Sequence, residues 1–193
     1  MTAERVCRAI TTLHQMLSDR GEPIHGLEDM SDKDIEAVVT ESDASGIVRF
    51  DTGARDIIFF TSKVKTADIA KAASETGDLR KVDAILVTMD PIMTVHMRSV
   101  SNNFGPLVET FTLSALSINI SRHTLVPKHE LVDRDTFPDL KRDLGVAALA
   151  QLPLIESSDP MARYVRARPG DVVKITRLHP AGGTQFSYRF CRK

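Results

Sequence analysis

The chain has 193 residues, and its 25 Lys and Arg against 26 Asp and Glu leave a formal net charge of −1 with histidine neutral. Hydrophobic residues make up 42% and charged residues 26%, a globular composition rather than a disordered one, and the length allows one or two small domains, each with a core. The longest uninterrupted apolar run, Val146 to Ala150, falls far short of the roughly 20 residues that span a bilayer, and no secretory apolar stretch follows Met1-Thr2-Ala3-Glu4-Arg5.

Val6, Ile10, Leu13 and Leu17 recur at spacings of four, three and four. They predict a helix with one apolar stripe, capped by Thr2 and ended by Gly21 and Pro23. A second helix starts at a Ser31 cap and carries Ile35, Val38 and Val39. Ser42 to Gly46 reads as a turn. Ile47 to Phe50 and Arg55 to Thr61 read as strands about the turn Asp51-Thr52-Gly53. Thr66 opens a short helix through Ile69, Ala70 and Ala73, closed by Gly77. Ala84-Ile85-Leu86-Val87 marks a buried strand within Val82 to Thr88, broken by Asp90-Pro91. A short helix from about Ile92 to Val100 follows. Asn102-Asn103-Phe104-Gly105-Pro106 reads as a loop, and strands are predicted at Leu107 to Leu113 and Leu116 to Ile120. This order implies an α/β (α+β) layer with helices packed on a mixed sheet.

Beyond Ser121 the texture changes, and a domain boundary is placed there, giving residues 1–120 and 121–193. Leu125-Val126-Pro127-Lys128-His129 is extended, because a residue before proline avoids the helical region. Phe137, Leu140 and Leu144 mark a short helix ended by Gly145. Ser158-Asp159-Pro160 starts another, with a capping side chain and then proline in the first turn. Arg168-Pro169-Gly170-Asp171 is a turn. Val173 and Ile175 alternate with Lys174 and Thr176. After the loop Ala181-Gly182-Gly183-Thr184, Phe186, Tyr188 and Phe190 alternate with Ser187, Arg189 and Cys191. These strands predict a hairpin in a small α+β domain, with the aromatics facing the core and Lys174, Thr176 and Arg189 on the polar face.

Chemistry-bearing motifs are sparse. Cys7 and Cys191 form no Cys-x-x-Cys pair, which excludes a thiolate zinc site and favours reduced thiols. The six histidines are scattered. Asp139-Leu140-Lys141 carries the Asp-x-Lys of metal-dependent nucleases, but in a predicted helix and without a marked second acid. No phosphate loop or nucleophile elbow occurs. No catalytic set emerges, which argues for a binding or assembly role without metal or cofactor. The near-neutral total hides an asymmetry. From Asp19 to Asp56 eleven acids face four bases, a net −7, and from Met161 to Lys193 eight bases face one acid, a net +7. The basic hairpin suits an acidic protein surface or, through its aromatics, a single-stranded nucleic acid.

Ile118-Asn119-Ile120-Ser121-Arg122-His123-Thr124-Leu125-Val126-Pro127-Lys128-His129 resembles the start of the assembly domain of RNA polymerase subunit five, a family with eukaryotic and archaeal forms. The resemblance continues through Gln151-Leu152-Pro153-Leu154-Ile155 and Ser158-Asp159-Pro160-Met161-Ala162-Arg163-Tyr164. It ends with Arg168-Pro169-Gly170-Asp171-Val172-Val173-Lys174-Ile175-Thr176-Arg177 and Tyr188-Arg189. Arg5-Val6-Cys7-Arg8-Ala9, Met16-Leu17-Ser18-Asp19-Arg20-Gly21 and Val108-Glu109-Thr110-Phe111 resemble parts of the jaw domain that archaeal forms lack. The chain is therefore similar to the eukaryotic or eukaryotic-virus branch. Arg166 stands where the family usually has glycine. The family's Thr-Pro-Ser-Ala segment, near downstream DNA, falls near Met93-Thr94-Val95-His96.

The resemblance implies a non-catalytic subunit of a DNA-directed RNA polymerase. Its C-terminal domain would dock on the largest subunit and its jaw would lie by downstream DNA within the complex, with no membrane contact. It would act in the nucleus, or in host cytoplasm or virion if virus-encoded. The alternatives are a stand-alone nucleic-acid-binding module and a divergent nuclease. Arg163, Tyr164, Lys174, Arg177 and Arg189 are the expected partner-binding residues, with a buried Tyr164 and a solvated Arg189 as the competing reading.

Overall fold

The apolar stripe of the first segment folds as helix α1, Ala3–Asp19, with Val6, Ile10, Leu13 and Leu17 buried together with Ala9 and Met16. Gly21 ends it at φ +70°, and the Glu22 N–H donates to the Leu17 carbonyl at 3.0 Å. Glycine adopts that left-handed turn without a Cβ penalty. The computed structural model describes residues 3–23, 31–42, 46–52, 55–75, 83–178 and 182–193. They divide into two units, Met1–Ile118 and Asn119–Lys193. The features read at Thr2, residues 43–45, Gly53, Gly77 and Ala181 lie outside the described residues.

In the first unit α2, Asp32–Ser42, starts as expected at Ser31. Ser31 Oγ accepts the Asp34 N–H at 3.3 Å, and the Asp34 carboxylate accepts the Ser31 N–H at 2.9 Å and its hydroxyl at 2.6 Å. This reciprocal cap satisfies backbone donors that the helix leaves open. The Ser31 side-chain and backbone bonds hold the Asp34 carboxyl below the usual aspartate range.

Strands β1 (Ile47–Asp51), β2 (Arg55–Phe60), β3 (Asp83–Thr88) and β4 (Glu109–Thr112) form a sheet in that order. β1 and β2 are antiparallel, and β2–β3 and β3–β4 are parallel. Every residue of β2 is buried, as expected of a strand covered on both faces. Helices α3 (Thr66–Glu75) and α4 (Thr94–Phe104) make the crossovers and pack on one face around Ile58, Phe60, Ile69, Leu86, Val100 and Phe104. Ile57, Phe59 and Ile85 point the other way and are equally buried.

The short helix read from Thr66 forms as α3, with Ile69 and Ala72 buried and Ala70 exposed. Two local expectations change. α4 does not stop at Val100. Phe104, one turn on, joins Val100 in the core, the Asn103 side-chain amide donates to the Ser99 carbonyl at 2.8 Å, and the helix yields only at Gly105. Burial of Phe104 outweighs the loop-forming tendency of Asn102 and Asn103. Leu116 to Ile120 is not a strand. The Leu116 N–H turns back to the Thr112 carbonyl at 3.3 Å, and Leu113 and Leu116 are buried from that turn.

The second unit holds β5 (Lys128–Leu131), α5 (Phe137–Leu144), β6 (Leu154–Glu156), α6 (Pro160–Tyr164), β7 (Val172–Leu178) and β8 (Thr184–Arg192). The predicted hairpin is β7–β8. The sheet is wider, ordered β5-β7-β8-β6, with β6 parallel to β8 and the other pairs antiparallel. Asp159 caps α6, its Oδ1 accepting the Met161 N–H at 2.8 Å, with Pro160 in the first turn. The core is Ile155, Ala162, Ala167, Val173, Ile175 and Cys191. Leu125 is not part of it. It sits in a turn, 85% exposed, ahead of the strand that starts at Lys128.

Candidate docking face of the C-terminal unit

Side chains alternate along a strand, so register decides which residues share a face. In the β7–β8 ladder Val173 lies opposite Arg189, Ile175 opposite Ser187, Lys174 opposite Tyr188 and Thr176 opposite Phe186. The aliphatic stripe of β7 and the aromatic stripe of β8 therefore point to opposite faces. This corrects the expectation that the aromatics form the core and that Lys174, Thr176 and Arg189 share a polar face. The core lies on the Val173–Ile175 side, where Ile155 of β6 and Ala162 of α6 meet Cys191. Lys174 and Thr176 stand instead among the aromatics, while Arg189 is on the core side.

The aromatic side is only partly covered. Phe186 is 52% exposed and Leu154 of β6 is exposed beside half-buried Tyr188 and Phe190. Leu178, at the end of β7 on the same face, is 86% exposed. The Lys174 ammonium lies 4.3 Å from the Phe186 ring centroid, a cation–π contact. A cleft of about 370 Å³ runs from Lys174 and Tyr188 to Leu140 and Asp139 of α5, with Glu130 and Thr136 on its rim. The face thus combines exposed apolar area, a positive charge held over an aromatic ring, and a rim of both signs.

Lys174 is the one expected partner-binding residue on this face. Tyr164 is 8% exposed, and its hydroxyl accepts from the Asn119 side-chain amide at 3.3 Å, which makes it a core residue. Arg163 is half-buried on α6 and Arg177 is exposed on the core-side stripe of β7. Arg189 is half-buried, and its Nη1 donates to the Leu154 carbonyl at 2.9 Å, tying β8 to β6. Sequence reasoning did not mark Phe186, Leu154 and Leu178 as surface residues. Their alternation is visible in the chain, but the face they occupy depends on register.

A family model described as RNA polymerase Rpb5, C-terminal domain, matches residues 118–191. The Dictyostelium discoideum protein named DNA-directed RNA polymerases I, II, and III subunit rpabc1 is 31% identical over 193 residues, covering 97% of each chain. The chain belongs to the RNA polymerase Rpb5 family. A Caenorhabditis briggsae protein named as subunit RPABC1 of the same three polymerases is 27% identical over 200 residues, 96% of this chain and 94% of its own. The Sulfolobus acidocaldarius subunit Rpo5 is 44% identical over 77 residues, 40% of this chain but 90% of its own. This archaeal relative thus matches a part of the chain, and the two eukaryotic ones nearly all of it.

In the N-terminal unit of this Rpb5-family chain, the segment Met93 to His96 forms the start of α4. Met93 and Val95 are exposed, and the His96 ring Nδ1 lies 2.9 Å from the Thr66 hydroxyl. Elsewhere in the unit, four charged side chains cluster, Arg55 buried and Arg20, Glu22 and Glu109 half-buried. Glu109 of β4 takes both terminal nitrogens of Arg20 at 3.0 and 2.9 Å and Arg55 Nη1 at 2.7 Å, and Arg55 Nε also pairs with Glu22 at 2.6 Å. Asp139, the acid of the Asp-x-Lys triplet, is on an exposed face of α5 and pairs with Arg142 at 2.7 Å. Among the described residues no group of three or more His, Cys, Asp or Glu is arranged to hold a metal ion, and no helix is long and apolar enough to cross a membrane.

Proposed function

We propose that this chain is a non-catalytic subunit of a multisubunit DNA-directed RNA polymerase, that its C-terminal unit docks on the largest subunit, and that its N-terminal unit forms a jaw beside downstream DNA within the complex. The observation that carries the docking role is the incompletely covered sheet face with Phe186, Leu154 and Leu178 around Lys174. Exposed apolar patches with an aromatic centre and a charged rim are where protein interfaces concentrate their energy. Family membership supports the polymerase as the setting. The matches to eukaryotic relatives over nearly the whole chain support a jaw-bearing form acting in the nucleus. A virus-encoded form would act in host cytoplasm or be carried in the virion.

The test is co-purification. A tagged full-length chain expressed in its native cell should recover the polymerase largest subunit in equal amount. Phe186→Asp should lose it, since removal of a central anchor costs about 2 kcal/mol or more, roughly thirtyfold in affinity. Arg189→Ala, away from that face, should keep it. Recovery undiminished by Phe186→Asp refutes this face as the docking site.

A further inference from the structure

Strand β8 has nine residues, and β6 pairs only with its last three, Leu154, Ile155 and Glu156 lying opposite Phe190, Cys191 and Arg192. The Phe190 N–H donates to the Pro153 carbonyl at 2.9 Å, and the Arg192 carbonyl accepts the Ser157 N–H at 2.8 Å. Phe190 and Arg192 thus turn their backbone groups toward β6. Cys191 turns the other way, its N–H donating to the Asp171 carbonyl at 2.8 Å. These directions alternate along a strand. Thr184 and Phe186 therefore aim their N–H and C=O groups outward, on the side of β6, while Gln185 and Ser187 aim theirs at β7. β6 begins too late to reach Thr184 and Phe186, among the described residues no other strand pairs with them there, and residues 184–187 are all exposed.

An open strand edge is a template for another strand, and proteins blunt such edges with charge, proline or brevity. The outer strands of this sheet are blunted. β5 follows Pro127 and carries Lys128, His129 and Glu130, and β6 is three residues long and follows Pro153. Thr184-Gln185-Phe186-Ser187 has no charge and no proline. Through Phe186 the open stretch adjoins the partly covered aromatic face. On the other face Arg177, opposite Gln185, is exposed.

We propose that an extended, acidic segment of the docking partner adds to this sheet as a further strand along Thr184–Ser187, hydrogen-bonded to the outward groups of Thr184 and Phe186. Strand addition takes its affinity from main-chain bonds and its specificity from alternate side chains. On one face the segment's side chains continue the apolar patch of Phe186 and Leu154. On the other they meet Arg177, whose guanidinium matches a carboxylate. A second copy of this chain fits less well. Residues 161–193 carry eight bases and one acid, and two such surfaces repel. The inference rests on the reading of the C-terminal unit as the docking module, and adds that the partner's backbone is bound as well as its side chains.

Amide hydrogen exchange read residue by residue tests it, in the free full-length chain and in the polymerase recovered with that chain. The Thr184 and Phe186 amides should exchange about tenfold or more slowly in the complex, with Gln185 and Ser187, bonded to β7 in both states, as the reference. In a cell that also makes untagged wild type, tagged Thr184→Pro should take about a tenth of the polymerase that tagged Thr184→Ala takes, since only proline lacks the outward N–H and an edge position tolerates it. Arg177→Glu should also lose most of its share. The two Thr184 variants should melt together; if the proline one does not, exchange in the wild-type complex decides. Recovery of the largest subunit with Thr184 and Phe186 exchanging as in the free chain overturns the proposal and leaves the docking role standing. Equal shares for well-folded proline and alanine variants, or an undiminished share for Arg177→Glu, also overturn it. So does slow exchange of these amides in the free chain when it sediments as a dimer, which gives the edge to a second copy. A wild-type chain that recovers no large subunit removes this inference together with the docking reading.

Discussion

Replacing Glu109 with alanine removes the acceptor shared by two arginines whose side chains are only 6% (Arg20) and 4% (Arg55) exposed. Three charge-assisted bonds disappear, and Glu22 is left as the one carboxylate of the set facing both guanidinium groups. Breaking a buried ion pair from one side costs about 3–5 kcal/mol, because the remaining charge stays desolvated. Set against a typical domain stability of about 5–15 kcal/mol, that is about a fifth or more of the total. The loss also falls at a weak point. Glu109 is in β4, at the edge of the sheet among the described residues and paired there with β3, and the arginines tie it to the end of α1 and to β2. Hydrogen exchange of the full chain in urea should show the amides of residues 3–112 opening at lower denaturant, with those of 172–192 unchanged. Glu109→Gln keeps an acceptor oxygen without the charge and should fall between. A loss under about 1 kcal/mol for the alanine variant would mean that the cluster behaves as a solvated surface pair and would refute the reasoning.

The fragment 119–193 should unfold cooperatively on heating, with a stability of only a few kcal/mol for so small a core; random-coil dichroism at 25 °C would defeat the two-module reading. Cys191 is buried, and burial, with the Asp171 charge beside it, pushes its thiol pKa up. Iodoacetamide at mildly alkaline pH should therefore label half-buried Cys7 first and reach Cys191 only on unfolding; equal rates would count against the core as described. Asp34 has a lowered pKa in the folded chain, so its cap contributes to stability above the unfolded aspartate value and is lost as pH falls through the lower folded value. Carboxyl NMR of Ser31→Ala, which removes the hydroxyl bond and keeps the backbone one, should show the Asp34 midpoint move up, and an unmoved midpoint would exclude the Ser31 hydroxyl as a cause.

The elements read correctly from the chain are those whose signals are local. The stripe of α1 spans residues 6–17, the Ser31 and Asp159 caps act within three residues, and β1 to β3 are short apolar runs between turn residues. The family, too, was legible, because its matched blocks are contiguous in the chain. The end of α4 was not, since Asn102 and Asn103 look like a loop until Phe104 finds its place beside Val100. Nor were β5 and β6, each only three or four residues long and made strands by their pairing with β7 and β8. The docking face illustrates the same limit. Val173, Ile175, Phe186, Tyr188 and Phe190 all alternate clearly, but alternation says only that each strand has two sides. That Val173 pairs with Arg189, sixteen residues on, puts the two apolar stripes back to back, and α6 then covers one of them. Periodicity is a property of one strand, whereas register is a relation between two, and a shift of a single residue would exchange the faces.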